Sequence, residues 1–386
     1  MKNLETLIQE LCPDGVEFVK LGDVCKISRG KVYSKKYLAE HIGEYPVYSS
    51  QTANDGILGK IGTYDCDGKF LTWTTDGAYA GTVFYRQGKF SVTNVCGLIS
   101  CSNPFLSLKF LYYWLTIEAP KHVHQGMGNP KLMSNQMAKI EIPLPPIDVQ
   151  IEIVRILNKF TSLEVELEAE LDCRKRQYEY YRDKLLSFDN VGGQEVTISK
   201  IGDIGRICMC KRIMKNQTNS ESGIPFYKIG TFGKVADAYI SNDVYEEYKK
   251  LYSYPKKGDI LMSASGTIGR TVVFNGEPSY FQDSNIVWVD NDETKVFNSY
   301  LNYYYQIIEW KTQGGTIKRL YNNLLAGATI KYPSLEEQHR IVSILDRFES
   351  LTTSLQSGLP AEIAARRQQY EHYRDKLLTF KRKGAV

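Results

Sequence analysis

The sequence predicts two copies of a mixed α/β (α+β) globular domain, alternating with two long coiled-coil helices. Three observations predict it: an internal repeat, a change of composition inside each repeat, and heptad-like spacing after each change. Arg174–Phe188 and Arg366–Phe380 are identical at eleven of fifteen positions. Upstream, Gln150, Ile153, Val154, Ile156, Leu157, Phe160 and Leu163 match Gln338, Ile341, Val342, Ile344, Leu345, Phe348 and Leu351. Further back, Lys20–Val24 is echoed by Lys200–Ile204, and Gly68–Leu71 by Gly258–Leu261. The 386-residue chain is thus one unit of about 180 residues used twice.

The expected organisation is a first head at 1–147, a spacer at 148–190, a second head at 191–333 and a distal spacer at 334–386. Within the heads, roughly 18–147 and 196–335 are rich in Gly, Tyr, Val, Ile and Thr. Runs such as Lys69–Thr74 and Asn285–Val289, set between turn residues, predict strands. Phe105–Ile117 and Ser299–Trp310 predict helices. Prolines then punctuate the chain at Pro143, Pro145, Pro146 and Pro333, where a helix can begin.

Each spacer shows apolar residues at alternating steps of three and four, an a/d seam. The first seam is Ile153, Ile156, Phe160, Leu163, Leu167, Tyr178, Tyr181 and Leu185. The second is Ile341, Ile344, Phe348, Leu351, Leu355, Tyr370, Tyr373 and Leu377. Some forty residues at 1.5 Å each give a rod on the order of 60 Å. Leu163 to Tyr178 spans 15 residues and Leu351 to Tyr370 spans 19, so the distal spacer carries four more. Four residues make about one turn and keep the seam on its face, but Gly358 and Pro360 predict a kink or break.

Composition narrows the function classes. With 42 % hydrophobic residues, 24 % charged and a net charge of +4, the chain has the profile of a globular cytoplasmic protein. No apolar run is long enough to span a membrane, and the start of the chain lacks a secretory core. The eight cysteines form no Cys-x-x-Cys pair, so neither a metal site nor disulfides are expected. The 27 tyrosines suit recognition surfaces and cores alike. No phosphate-cradling Gly-rich motif occurs, and Asn103-Pro104-Phe105 lacks the second proline of a base-methylating motif. The chain is therefore read as non-catalytic.

In this order of parts the chain resembles the specificity subunit of a Type I restriction–modification system, over essentially its full length. The resemblance rests on Pro143-Leu144-Pro145-Pro146 followed by Gln150 and Ile153, with the weaker copy Pro333, Gln338 and Ile341. It rests also on Gly258-Asp259-Ile260-Leu261-Met262-Ser263 followed by Gly266-Thr267-Ile268-Gly269, of which the first head keeps only Gly68, Leu71, Gly77 and Gly81.

The resemblance implies two target-recognition domains and two helices packed antiparallel about a pseudo-twofold axis. Two unlike heads on a rigid spacer would read two unlike half-sites of double-stranded DNA, roughly 34 Å or one helical turn apart. It implies, as partners, two DNA methyltransferase (modification) subunits carrying S-adenosylmethionine. Restriction subunits using ATP and Mg would join where present, no cofactor being bound by this chain. The modest charge suggests that partners supply part of the positive surface.

Candidate DNA contacts follow from residue chemistry, since phosphates call for Lys and Arg, and base edges for Asn, Gln, Arg, Ser or Thr. The polar loop before each spacer supplies Lys121, Gln125, Asn129 and Lys131, and then Gln313, Thr316, Lys318 and Arg319. Basic clusters add Arg29, Lys31, Lys35 and Lys36, with Lys211, Arg212 and Lys215 in the second head. Gln51, Asn54, Ser263, Ser265, Thr267 and Arg270 are candidates for base reading, while Gly266 and Gly269 fit a tight turn. Two alternatives stay open: a coiled-coil protein-interaction scaffold without DNA specificity, and a specificity subunit of a differently organised methyltransferase or phage-defence enzyme.

Overall fold

The computed structural model describes residues 4–125, 128–188, 195–315, 318–354 and 357–384. Thr316, Leu355 and the expected boundary at 190/191 therefore lie outside the described residues. The chain divides into two compact units, one made of Met1–Leu167 with Ile363–Val386 and the other of Glu168–Glu362. The 41-residue helix Ile147–Ser187 contributes its first part to one unit and its second part to the other.

In the first unit, six strands form a sheet in the order Lys26–Arg29, Cys96–Ser100, Cys66–Thr74, Val83–Val92, Ile42–Tyr48, Ile57–Ile61. All pairings are antiparallel except that of Ile42–Tyr48 with Val83–Val92, where Val47 faces Ser91. Leu71, Trp73 and Ile99 from this sheet meet Phe110, Leu111 and Leu115 of the helix Leu108–Glu118 in one core. A separate ladder joins Phe18–Lys20 to Glu141–Pro143.

The second unit repeats the plan with one change. Gly205–Cys208, Ile286–Asn291, Ile260–Ser263 and Thr271–Val273 form one antiparallel sheet. The outer strands form a second sheet, Thr218–Asn219, Tyr239–Ile240, Ile224–Tyr227 and Tyr280–Phe281, again with one parallel pair. The expected helix Ser299–Trp310 is shorter, Asn298–Tyr304. Beyond it the chain turns so that Trp310 packs edge-on against Tyr305 and against Gly269, where a Cβ would lie 2.5 Å from the indole Nε1.

Strand register corrects the sequence alignment by one residue. Thr74 faces Cys96 and Ser263 faces Ile286, so Leu71 corresponds to Ile260 rather than to Leu261. A one-residue slip turns a side chain to the opposite face of a sheet. Accordingly Leu71 and Ile260 both lie in the core that includes spacer-helix residues, while Leu261 lies in the outer core with Phe226 and Trp288.

Each head is seated on its own spacer helix by the glutamine of the repeated motif. Gln150 is fully buried; its carboxamide oxygen accepts from Ser107 N at 2.8 Å, and its nitrogen donates to Phe105 O at 2.8 Å and Pro145 O at 2.7 Å. Gln338 makes the same three bonds, from Phe297 N at 3.0 Å and to Lys295 O at 2.9 Å and Pro333 O at 3.0 Å. A carboxamide has two N–H donors and an oxygen with two lone pairs, so in each group both donors and one of the two acceptor positions are used. A neighbouring pair repeats as well: Tyr113 Oη donates to Asn158, and Tyr303 Oη donates to Asp346.

The coiled-coil contacts run antiparallel in each unit. In the first, Phe160 lies against Tyr373 at 5.4 Å and Tyr370 at 6.5 Å, and Glu164 pairs with Arg367. Numbers rise along one helix as they fall along the other. In the second, Tyr181 stacks on Phe348 at 5.7 Å, while Leu186 is buried with Ile341, Val342 and Leu345. Four expected seam residues are exposed: Leu163 and Leu351 at 43 % and 47 %, and Tyr181 and Tyr373, whose rings still stack across the helix pair, at 43 % and 38 %. The most deeply buried line of the long helix is Val149, Ile153 and Leu157, a step of four that turns it onto the head. Leu167, Tyr178 and Leu185 are half-buried, as are Ile156, Ile344 and Leu377. The distal spacer is two helices, Leu335–Thr353 and Gly358–Leu377, broken where glycine and proline predict it. Gly358 has φ +81°, and a Cβ there would lie 2.5 Å from Ser350 O.

Candidate nucleic-acid interface

The turn after the central strand of each head is built the same way in both. Thr74 Oγ1 accepts from Thr82 N at 3.0 Å and donates to Tyr79 O, while Ser263 Oγ accepts from Arg270 N at 3.0 Å and donates to Thr267 O. Gly81 N donates to Thr74 O and Gly269 N to Ser263 O, at 2.9 and 3.0 Å. Both glycines have positive φ, +85° and +83°. The hydroxyl thus replaces a missing rung of backbone bonding and shapes the turn. Ser263, expected to read bases, is fully buried and serves this turn instead.

The polar loop preceding each spacer docks beside that turn. In the first head His124 and Lys131 exchange backbone bonds at 2.8 and 3.1 Å, Lys131 bridges to Asp76, and Leu132 N donates to Thr75 O at 2.9 Å. In the second, Gln313 and Arg319 exchange bonds at 3.0 and 2.8 Å, Arg319 bridges to Ser265, and Leu320 N donates to Ala264 O at 2.8 Å. Both loops are pinched hairpins, and Gln125, Asn129, Lys131, Gln313 and Lys318 are exposed on them. Lys121 lies at the approach to the first loop and is tied to Glu118 at 2.8 Å.

A third segment joins this edge in the first head. Ser50 Oγ accepts from Thr75 N at 2.9 Å and donates to Val95 O, which Thr75 Oγ1 also contacts at 2.7 Å. Ser50 opens a loop in which Asn54, Asp55 and Gly56 are consecutively left-handed, with φ +50°, +51° and +77°. For non-glycine residues this conformation costs on the order of 1–3 kcal/mol each. Asn54 is exposed at the tip; Gln51 is half-buried and its side-chain nitrogen donates to Ile57 O at 2.7 Å, so it braces the loop from within.

The basic candidates divide. Arg29 reaches Ser134 Oγ at 3.2 Å, just past the polar loop, and Lys31 pairs with Asp65 at 2.6 Å beside the bridge to Thr93. Burial pushes the Asp65 carboxyl up, but hydrogen bonds from Lys31 and Tyr33 outweigh it and hold it below the ordinary value. Lys35 and Lys36 lie on the helix Lys35–Glu40 near the outer strand, Lys36 pairing with Glu40 at 3.8 Å. Lys35 is exposed.

In the second head Arg212 pairs with Asp283 at 2.9 Å. Arg319 donates to Asn285 Oδ1 at 2.8 Å and Ser284 Oγ at 3.2 Å, so it braces the segment 283–285 rather than projecting freely. Ser265 is buried and donates to the same Asn285 oxygen at 2.8 Å. Arg270 turns inward: its guanidinium lies 5.5 Å from the Phe232 ring and its Nε is buried without a partner, which corrects its expected role at a base edge. Thr267 is exposed at the turn. Lys211 sits over Tyr252 at 5.0 Å, and Lys215 is exposed at the start of the turn Lys215–Gln217.

Sequence reasoning missed Arg86 and Asp55. Arg86 is 4 % exposed and binds the Asp55 carboxylate with Nη1 at 2.6 Å and the Asp55 carbonyl with Nη2 at 2.7 Å. Nothing in the local sequence marks this pair, which lies 31 positions apart. Among the described residues, no group of three or more His, Cys, Asp or Glu could hold a metal ion, and no helix is long and apolar enough to cross a membrane.

The sequence profile of the Type I restriction modification DNA specificity domain matches twice, over residues 13–172 and 193–365. A type I restriction enzyme specificity subunit of Haemophilus influenzae is 46 % identical over 98 % of this chain and all of its own length. A type I specificity subunit of Mycoplasma pneumoniae is 32 % identical over 93 % of this chain and 96 % of itself. Among solved structures, a chain from a study of complex assembly and conformational transition in the type I system superposes with TM-score 0.60 at 18 % identity, covering 94 % of this chain and 97 % of itself. The S subunit of a Type I restriction–modification system from M. genitalium gives TM-score 0.56 at 14 % identity, covering 94 % and 96 %. These two structures share the fold.

Proposed function

Because the chain belongs to the Type I restriction modification DNA specificity family, we propose that it reads a bipartite, asymmetric DNA site, one half with each head. The observation that carries this reading is the doubled edge: the same hydroxyl-held turn and the same pinched hairpin, furnished with different side chains. Asn54, Asp76 and Lys131 stand at the first edge, and Thr267, Gln313 and Lys318 at the second. Equal scaffolds with unequal surfaces suit two unlike half-sites. Lys121, Lys131, Lys318 and Arg29 would meet phosphates, and the uncharged polar groups would meet base edges.

In this reading the chain is non-catalytic and binds no cofactor. Two modification subunits, docked on the spacer helices, bring S-adenosylmethionine and transfer the methyl group. Restriction subunits, where they join, bring ATP and Mg. The specificity subunit contributes position: it decides which base is delivered to the methyltransferase.

The test is the methylome of a host carrying the complete system, with and without this chain. A modified bipartite motif that vanishes with the chain supports the reading. Unchanged methylation, together with complex binding that neither weakens steeply with salt nor distinguishes DNA sequences, would favour the protein-interaction scaffold instead.

A further inference from the structure

Arg86 stands inside the first head on the strand Val83–Val92, yet its two strongest polar bonds reach one surface residue, Asp55. Its Nε points to Thr72 Oγ1 at 3.3 Å. The guanidinium lies 3.7 Å from the centre of the Tyr48 ring and 4.4 Å from that of Phe84. A planar cation held by rings and by three donors in a fixed fork has no rotamer to swing into. What it grips is therefore fixed as well.

What it grips is the middle of three left-handed residues. Two L-residues in succession in that region form a shape that an unrestrained loop abandons. The fork holds both the carboxylate and the carbonyl of Asp55, so it fixes side chain and backbone together. On the near side, Ser50 ties the loop to Thr75, the residue that also receives the polar hairpin through Leu132. Between these two anchors the tip Ala53–Asp55 is exposed, with Asn54 at its centre. The Asn54 Oδ1 is available, and its Nδ2 makes a long, 3.4 Å bond to Ile57 O that a base edge would replace. The second head holds its edge by another device, Arg319 on Ser284 and Asn285.

We propose that Arg86 is a positioning residue for sequence readout: through Asp55 it fixes the loop Ser50–Gly56 so that Asn54 meets a base edge in a single orientation. The inference rests on the DNA reading above. An asparagine carboxamide pairs its donor and acceptor with the N7 and N6 edge of adenine, so adenine is the expected base. A loop held before binding loses little freedom on contact, and a wrong base then meets a group that cannot adjust.

The experiment uses the complete complex with its modification subunits and a pool of duplexes carrying randomised bases, the bound fraction being sequenced. Asn54→Ala and Arg86→Met are expected to lose preference at the same position or two of one half-site, by roughly ten- to a hundredfold. The other half-site keeps its preference. Asp55→Asn, which keeps the carbonyl and one side-chain acceptor, retains most of it. Asn54→Gly, which keeps the left-handed backbone at no steric cost and removes only the carboxamide with its 3.4 Å bond to Ile57 O, should lose the same preference and so tests the proposal even where Arg86→Met folds poorly.

Unchanged preference in Asn54→Ala or Asn54→Gly would overturn the proposal. So would an Arg86→Met complex whose losses fall equally on both half-sites, because Arg86 would then be structural only. A wild-type complex without preference at any position would instead remove the DNA reading on which the proposal rests.

Discussion

Gln150 and Gln338 show how much one buried amide can decide. Replacing either with Ala leaves one backbone N–H and two carbonyls without partners in a dry site. An unsatisfied buried group costs about 1–3 kcal/mol, so each variant should lower the urea midpoint by at least that equivalent, with the slope unchanged. A chemical prediction concerns the pair Cys25 and Cys101. A hydrogen bond from the Cys25 thiol holds the Cys101 thiol down to about 6, while that same bond and burial push Cys25 upward. Cys101 gains reactivity as pH rises through about 6, because only the thiolate is nucleophilic. Alkylation followed by peptide mass analysis should show its rate levelling off above neutral pH, and Cys25→Ala should move that midpoint upward. An unchanged midpoint would sink this account. At this scale little was legible in advance. Gln150 stood out because it recurs in both copies, but its three bonds could not be read. Ser263 and Arg270 looked like surface readers because their residue types suit base edges, whereas strand alternation and a turn direct both inward.

Elements were far more legible, since periodicity is a property of many residues at once. The long helix was expected at 148–190 and spans Ile147–Ser187. The central strand and both head helices fall within a few residues of expectation, apart from the early end of Asn298–Tyr304. The seam was misjudged where a helix serves two neighbours. Heptad spacing marks an apolar face but does not name its partner, and Val149, Ile153 and Leu157 face the head rather than the other helix. The break at Gly358 makes its own prediction. Gly358→Ala adds a Cβ against Ser350 O and Leu351 O in a left-handed conformation, so it should destabilise the junction by about 1 kcal/mol or more. Thermal unfolding of the purified chain would show this; an equal or higher Tm would contradict it. The loop Ser50–Gly56 carried no such signal, because its shape is imposed from a distance by Arg86.

At the scale of the whole molecule, two heads of one plan carry different edges. Replacing residues 196–335 with the matching segment of another specificity subunit should therefore change one half of the methylated motif and leave the other intact. Methylome sequencing reads this directly, and simultaneous change in both halves would contradict independent reading. The twofold plan was legible from the repeat itself, whereas the division of each head's edge among three separated segments was not. The glutamine seats bear on how such exchanges can succeed. Every atom that Gln150 grips belongs to the main chain, Ser107 N, Phe105 O and Pro145 O, and the same is true of Gln338. A main-chain socket accepts any side chains that keep the local path. A head exchanged from a relative that keeps this path should therefore seat on the spacer helix with no change to the joint.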